Sequence, residues 1–117
     1  MILKEEDMYK QKDIVLVPFP FTDLSGEKVR PALVIGSGIS DDVTLSFVSS
    51  IISKNLLKNE VFIKIKEKDK TGLKTNSLIK VLKIATLENK IILGKIGELD
   101  EDNFRLVKQI IKKYFNL

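Results

Sequence analysis

Asp13-Ile14-Val15-Leu16-Val17 is a β-branched apolar run closed by Pro18 and Pro20. Proline cannot donate to a central ladder, so the run predicts a strand reaching a sheet edge. Residues 22–27 read as a loop, and Arg30-Pro31 opens a second apolar run over residues 32–35. Gly36-Ser37-Gly38 and Asp41-Asp42 break it before a third run, residues 43–48, so the first three strands predict an antiparallel meander. Residues 60–66 alternate apolar and charged side chains at period two, as a half-buried strand does, and residues 77–83 and 91–96 repeat the signal. Only the end reads as a helix. Phe104, Val107, Ile111 and Tyr114 recur at three- and four-residue spacing, with Ile110 and Phe115 widening the stripe. Asp100-Glu101-Asp102 supplies a cap and negative charge at its start, and Lys108, Lys112 and Lys113 lie towards its end, matching the helix dipole. Five or six short strands followed by one helix predict an α+β fold, a small, strongly curved antiparallel sheet or partly open barrel with the helix packed on it.

The chain has 117 residues with no internal repeat and no linker-like stretch, so a single domain over 1–117 is expected. It contains no cysteine and no histidine. Disulfides, thiolate nucleophiles, Ser-His and Cys-His pairs and His-metal sites are therefore excluded. No apolar run approaches the roughly 20 residues of a membrane-spanning helix. Residues 1–12 are charged throughout and lack the apolar segment of a signal peptide, so a cytoplasmic protein with no membrane partner is expected. The net charge of +4 divides unevenly: residues 1–50 carry 5 basic and 8 acidic side chains, residues 51–117 carry 15 and 8. Such a distribution suits a polyanionic partner, and equally a solvated lysine-rich face.

Gly36-Ser37-Gly38-Ile39-Ser40-Asp41 begins like a dinucleotide fingerprint, but Asp41 occupies the third glycine position and a strand follows where a helix is needed. A plain turn is expected there. The adjacent carboxylates at 41–42 and 100–102 do not form a ligand cage, so no metal is assigned. Lysine supplies 18 of the 20 basic residues, which sets apart Arg30 and Arg105. Arg105 sits among charged helix neighbours and reads as solvated. Arg30 lies between a glycine-containing loop and an apolar strand, with Pro31 holding its backbone extended. That position suits either a phosphate, which the guanidinium fork matches, or an ion pair at the sheet edge.

Asp13-Ile-Val-Leu-Val, the Gly26 loop, Val29-Arg30-Pro31-Ala32-Leu33-Val34-Ile35 and Phe47-Val48-Ser49-Ser50 resemble successive motifs of the MazF/PemK family of toxin endoribonucleases. The resemblance continues through residues 72–79, Ile84-Ala85-Thr86-Leu87 and Lys95-Ile96-Gly97-Glu98-Leu99, covering nearly everything from Asp13 onward. It implies an SH3-like barrel, a homodimer with a groove for single-stranded RNA, a cognate antitoxin as partner, and no cofactor. It further implies sequence-selective cleavage by a ribose 2′-hydroxyl, leaving a 2′,3′-cyclic phosphate and a 5′-hydroxyl. By motif, Arg30 matches the family's catalytic arginine and Ser49 its usual threonine, which would hydrogen-bond a phosphate oxygen. Serine keeps the hydroxyl and loses the methyl that restricts its rotamers. No residue matches the acid or histidine that some members use as base. Strand alternation from Val43, Leu45 and Phe47 puts Ser49 on the apolar face and Ser50 with Thr44 and Ser46. Ser49 therefore requires that the strand end or bulge before it, and Ser50 is the reserve candidate. Phe19 and Phe21, at the lip of the first strand, could stack on bases, or pack in the core. Lys28, Lys54, Lys58 and Lys74, on the expected loops, could track the RNA backbone. The competing functions are a catalytically silent relative that binds RNA or protein, and a gyrase-directed poison on the related fold.

Overall fold

The computed structural model describes residues 9–19, 28–52 and 58–117. Six strands form one antiparallel sheet: β1 (Asp13–Phe19), β2 (Lys28–Gly36), β3 (Asp42–Ser49), β4 (Glu60–Ile63), β5 (Ser77–Glu88) and β6 (Gly94–Glu98). Among the described residues one α-helix, α1 (Glu101–Phe115), follows β6. The first three strands form the expected meander, but the spatial order is β4-β5-β3-β2-β1-β6, so β5 is inserted between β3 and β4. The sheet curls into a half-barrel whose two faces each bury a separate apolar cluster. Ile14 and Leu33 face one cluster, with Phe104 and Val107 of α1; Val15, Val17, Ala32 and Val34 face the other. Burial on both faces explains why β1 and β2 read as continuous apolar runs rather than alternations.

β1 is not an edge strand along its whole length. β6 pairs with it only from Asp13 to Leu16, and Pro18 lies beyond that stretch, where the missing amide interrupts no pairing with β6. β4 stops at Ile63 rather than continuing to residue 66, because the Ile65 amide donates to Asn76 Oδ1 at 2.8 Å and leaves the ladder. The strand expected at 91–96 begins later. A 3-10 turn at Asn89–Ile91 comes first, tied down by Asn89 N–H to Asp41 O at 2.8 Å and Leu93 N–H to Leu16 O at 2.8 Å. Gly97 in β6 passes so close to the 70–71 backbone that a Cβ there would lie 2.2 Å from the Thr71 carbonyl carbon.

Asp100 caps α1, accepting from the Asn103 amide at 3.1 Å, and Asn116 ends it in the left-handed conformation. Phe104 and Val107 are buried and Ile110 and Ile111 half-buried. The apolar stripe ends there: Tyr114 and Phe115, expected to extend it, are exposed and pack edge-on against each other at 5.1 Å. Lys12 holds the start of β1 to the start of α1 by an ion pair with Glu101, which raises the lysine pKa and lowers that of the carboxylate. Lys95 on β6 lies 2.7 Å from Glu98 and 3.1 Å from the buried Asp13 of β1, and its pKa is raised, first by Glu98 and then by Asp13. Arg105 is exposed on the helix and pairs with Asp102 at 3.2 Å.

Candidate functional site

The β2–β3 register pairs Ala32 with Phe47 and Leu33 with Ser46. Carried two residues further, it sets Arg30 opposite Ser49. Both side chains line one cavity of about 520 Å³, over β2, β3 and β5.

Strand alternation directs Ser49 there, on the face of Val43, Leu45 and Phe47, while the bulge lies in the neighbouring β5. Ser46 is paired with Ile84 of β5, and the next residue, Phe47, with Lys80, so residues 81–83 face no residue of β3. The fully buried Ser46 hydroxyl donates to the Val81 carbonyl at 2.8 Å, and the Val81 amide donates to Asn59 O at 3.1 Å. Across this irregularity β3 keeps its own alternation: Val43, Leu45 and Phe47 pack on one cluster and Val48 on the other, and the pairing of residues 45–47 with β2 is unbroken. The expectation that β3 must end or bulge before Ser49 is not met: the face it shares with Phe47 opens into the cavity, leaving both half-buried. Ser50 lies just past the strand, exposed, and is not among the cavity's lining residues.

The Ser49 hydroxyl accepts from the Ile51 amide at 3.1 Å, a local turn that fixes the oxygen and leaves its proton free to donate. Arg30 is exposed, and among the described residues no carboxylate pairs with it, so the edge ion pair has no partner there. Two lysines that the sequence did not single out, Lys80 and Lys83, line the same cavity. They interrupt the apolar run of β5, which reads as ordinary alternation until the bulge is known. Phe47, Leu82 and Ile84 add apolar wall. The arrangement is three cations and a hydroxyl against an apolar floor, suited to a ligand that carries both phosphates and bases.

The other candidates stand apart. Lys28, Lys58 and Lys74 are exposed, and none lines this cavity. Phe19 ends β1 opposite Lys28, while Phe21 and Lys54 lie outside the described residues. Gly36 ends β2, and the residues after it form the expected bend rather than a helix, with Gly38 at a φ of 96° and the Asp42 amide donating to Ser40 Oγ at 3.2 Å. Among the described residues, no three carboxylates gather into a possible metal site.

Residues 10–115 match the family model described as PemK-like, MazF-like toxin of type II toxin-antitoxin system. No curated protein matches the chain by sequence. Among solved structures, the Mycobacterium tuberculosis toxin MazF-mt6 superposes with a TM-score of 0.69 at 18% identity, over 90% of this chain and 97% of that one. The MazE-MazF structure from Deinococcus radiodurans gives 0.72 at 16% identity, over 93% and 96%. An endoribonuclease in complex with its cognate antitoxin from Mycobacterial species gives 0.69 at 13% identity, over 94% and 97%. At such identities the superpositions establish the fold, and the family model, which spans nearly the whole sequence, establishes the kinship: the chain belongs to the PemK-like, MazF-like toxins of type II toxin-antitoxin systems.

Proposed function

We propose that this toxin is a sequence-selective endoribonuclease that cleaves single-stranded RNA without a metal ion, and that its site is the cavity holding Arg30 and Ser49. The observation that carries the reading is the convergence of those two motif-matched side chains in one cavity, from positions that the β2–β3 register sets opposite each other. One similar structure is titled an endoribonuclease with its cognate antitoxin, which agrees with that activity and with an antitoxin partner.

The nucleophile comes from the substrate. The ribose 2′-hydroxyl gives up its proton to solvent as its oxygen bonds to the adjacent phosphorus, the bond to the 5′-oxygen breaks, and that oxygen takes up a proton from solvent, leaving a 2′,3′-cyclic phosphate and a 5′-hydroxyl. The protein's part is to orient the phosphate and stabilise the charge that builds on it. Ser49 donates to a non-bridging oxygen, and the Arg30 fork spans the oxygens as the pentacovalent intermediate gains negative charge. Among the described residues no three carboxylates gather where they could hold a cation, and cleavage is expected to persist in EDTA. In the active assembly two copies of the chain would form the RNA groove. The antitoxin would place a flexible, acidic segment in it and exclude RNA.

Single-turnover cleavage of a mixed-sequence RNA in EDTA tests this reading. Arg30→Ala is expected to lower the rate at least ~10²-fold while weakening RNA binding far less, since the contact is made chiefly in the transition state. Arg30→Lys keeps the charge, loses the fork and recovers only a small part of the rate. Arg105→Ala, as control, changes nothing. Binding without cleavage by the wild type would instead identify a silent relative, and wild-type cleavage by Arg30→Ala would remove the catalytic assignment.

A further inference from the structure

Lys80 stands on β5, with Phe47 of β3 opposite it on one side and Glu60 of β4 on the other. An ion pair in the middle of a sheet is a poor device for stability, because removing two charges from water offsets most of their attraction. Here the two partners are treated unequally. The Glu60 side chain is 5% exposed, the Lys80 side chain 39%, and Lys80 is among the residues that line the Arg30 cavity. Nζ lies 3.7 Å from Glu60 Oε2, close enough for attraction but beyond hydrogen-bond reach, so its N–H groups stay available to a ligand.

We infer that Lys80, held in place by Glu60, binds a second phosphate of the RNA strand, next along from the one at Arg30 and Ser49. The inference rests on the endoribonuclease reading and adds to it a residue that fixes the strand's path. Neighbouring strands lie about 4.8 Å apart, so β2 and β5, on either side of β3, set Arg30 and Lys80 about 10 Å apart across the sheet. The register adds an offset of two residues, about 7 Å, along it. That backbone separation suits two cations that each take one of two successive phosphates of an extended strand. Phe47, level with Lys80 on β3, and Leu82 provide apolar surface between them for a base. Glu60 is a positioning residue and touches no substrate.

The test uses the full chain and two RNAs of randomised sequence: one cleavable, one with 2′-fluoro in place of every 2′-hydroxyl. Lys80→Gln is expected to raise KM, and Kd for the fluorinated RNA, about five- to tenfold, with kcat within about threefold of wild type. The slope of log Kd against log salt should fall by about 0.7, the share of one single-strand phosphate contact. Lys80→Arg should restore both. Because Lys80→Gln leaves a buried carboxylate, the double variant Glu60→Gln/Lys80→Gln is measured beside it and should show the same loss with the fold intact in thermal melts. Glu60→Gln alone keeps the cation, so it should raise KM two- to fivefold with the salt slope preserved. Lys112→Ala serves as the control for a lost surface charge. Wild-type KM and salt slope in both Lys80→Gln and the double variant would overturn the inference while leaving the endoribonuclease reading standing. Tighter binding by Glu60→Gln would overturn the positioning role. A wild-type protein that neither binds nor cleaves RNA would end the endoribonuclease reading and this inference together.

Discussion

Ser46→Ala removes one oxygen atom from the middle of the sheet, and its effect should reach well past that atom. The hydroxyl is fully buried and donates at 2.8 Å to the Val81 carbonyl, the first residue of the bulge in β5. Alanine loses a hydrogen bond and leaves that carbonyl short of a partner, which together cost about 1–3 kcal/mol. With an unfolding entropy of about 2.1 cal/mol/K per residue, a domain of this size should then lose about 4–12 °C in Tm. The variant remains folded at 25 °C, because small domains typically have about 5–15 kcal/mol in hand. Function should suffer more than stability. The bulge sets how residues 80–84 sit against β3, so loosening it shifts Lys80 and Lys83 relative to Ser49 and Arg30 in the cavity. Differential scanning calorimetry and single-turnover cleavage at 25 °C, both on the folded variant, would be read together, with cleavage expected to fall at least ~10-fold, in line with the sensitivity of oriented groups to small displacements. An unchanged Tm would refute the pinning role of Ser46. A lowered Tm with wild-type cleavage would show that the bulge does not aim the cavity.

Three further outcomes follow from the geometry. Gly97→Ala forces a Cβ to within 2.2 Å of the Thr71 carbonyl carbon, in contact with backbone that cannot rotate away, whereas Gly94→Ala meets nothing within 4 Å. The first should cost about 1–3 kcal/mol or more and the second under about 0.5, read from urea midpoints. Burial acts most strongly on the Asp100 carboxyl and raises its pKa, but the hydrogen bonds from the Asn103 side chain and amide outweigh it, leaving the pKa below the ordinary value. Its capping contribution is therefore complete above about pH 4 and lost as pH falls through the depressed value, so Asp100→Asn, which keeps an acceptor but does not titrate there, should flatten the acid limb of Tm against pH. Light scattering at micromolar concentration should give twice the 13.3 kDa chain mass, and a monomer would remove the shared RNA groove.

The strands and the helix are legible in the sequence wherever burial is one-sided or complete. The continuous runs of β1 and β2, the cap at Asp100 and the stripe through Phe104 and Val107 each carry a local signal strong enough to survive folding. Boundaries fail where a tertiary partner intervenes, as when Asn76 takes the Ile65 amide and ends β4 early. The placement of β5 between β3 and β4 is invisible for a similar reason, since nothing local encodes which strands will be neighbours. In the site, Arg30 is legible because an arginine in a lysine-rich chain beside Pro31 is unusual, and Ser49 because its motif is. Lys80 and Lys83 are not, because only the three unpaired residues of the bulge decide that side chains three apart on one strand share a cavity.

The order β4-β5-β3-β2-β1-β6 also bears on how the chain comes off the ribosome. The first strand made is not the first completed: the outer edge of β1 receives its partner only when residues 94–98 have emerged. Until then Ile14, Val15 and Leu16 present open backbone on a β-rich apolar segment, a template for pairing with other nascent chains. Emergence of β6 closes that edge, and the Lys95 contacts to Asp13 and Glu98 then fasten the two ends of the fold across more than eighty residues of intervening sequence. Any delay between the emergence of β1 and that of β6 would therefore prolong the most aggregation-prone interval in the protein's life.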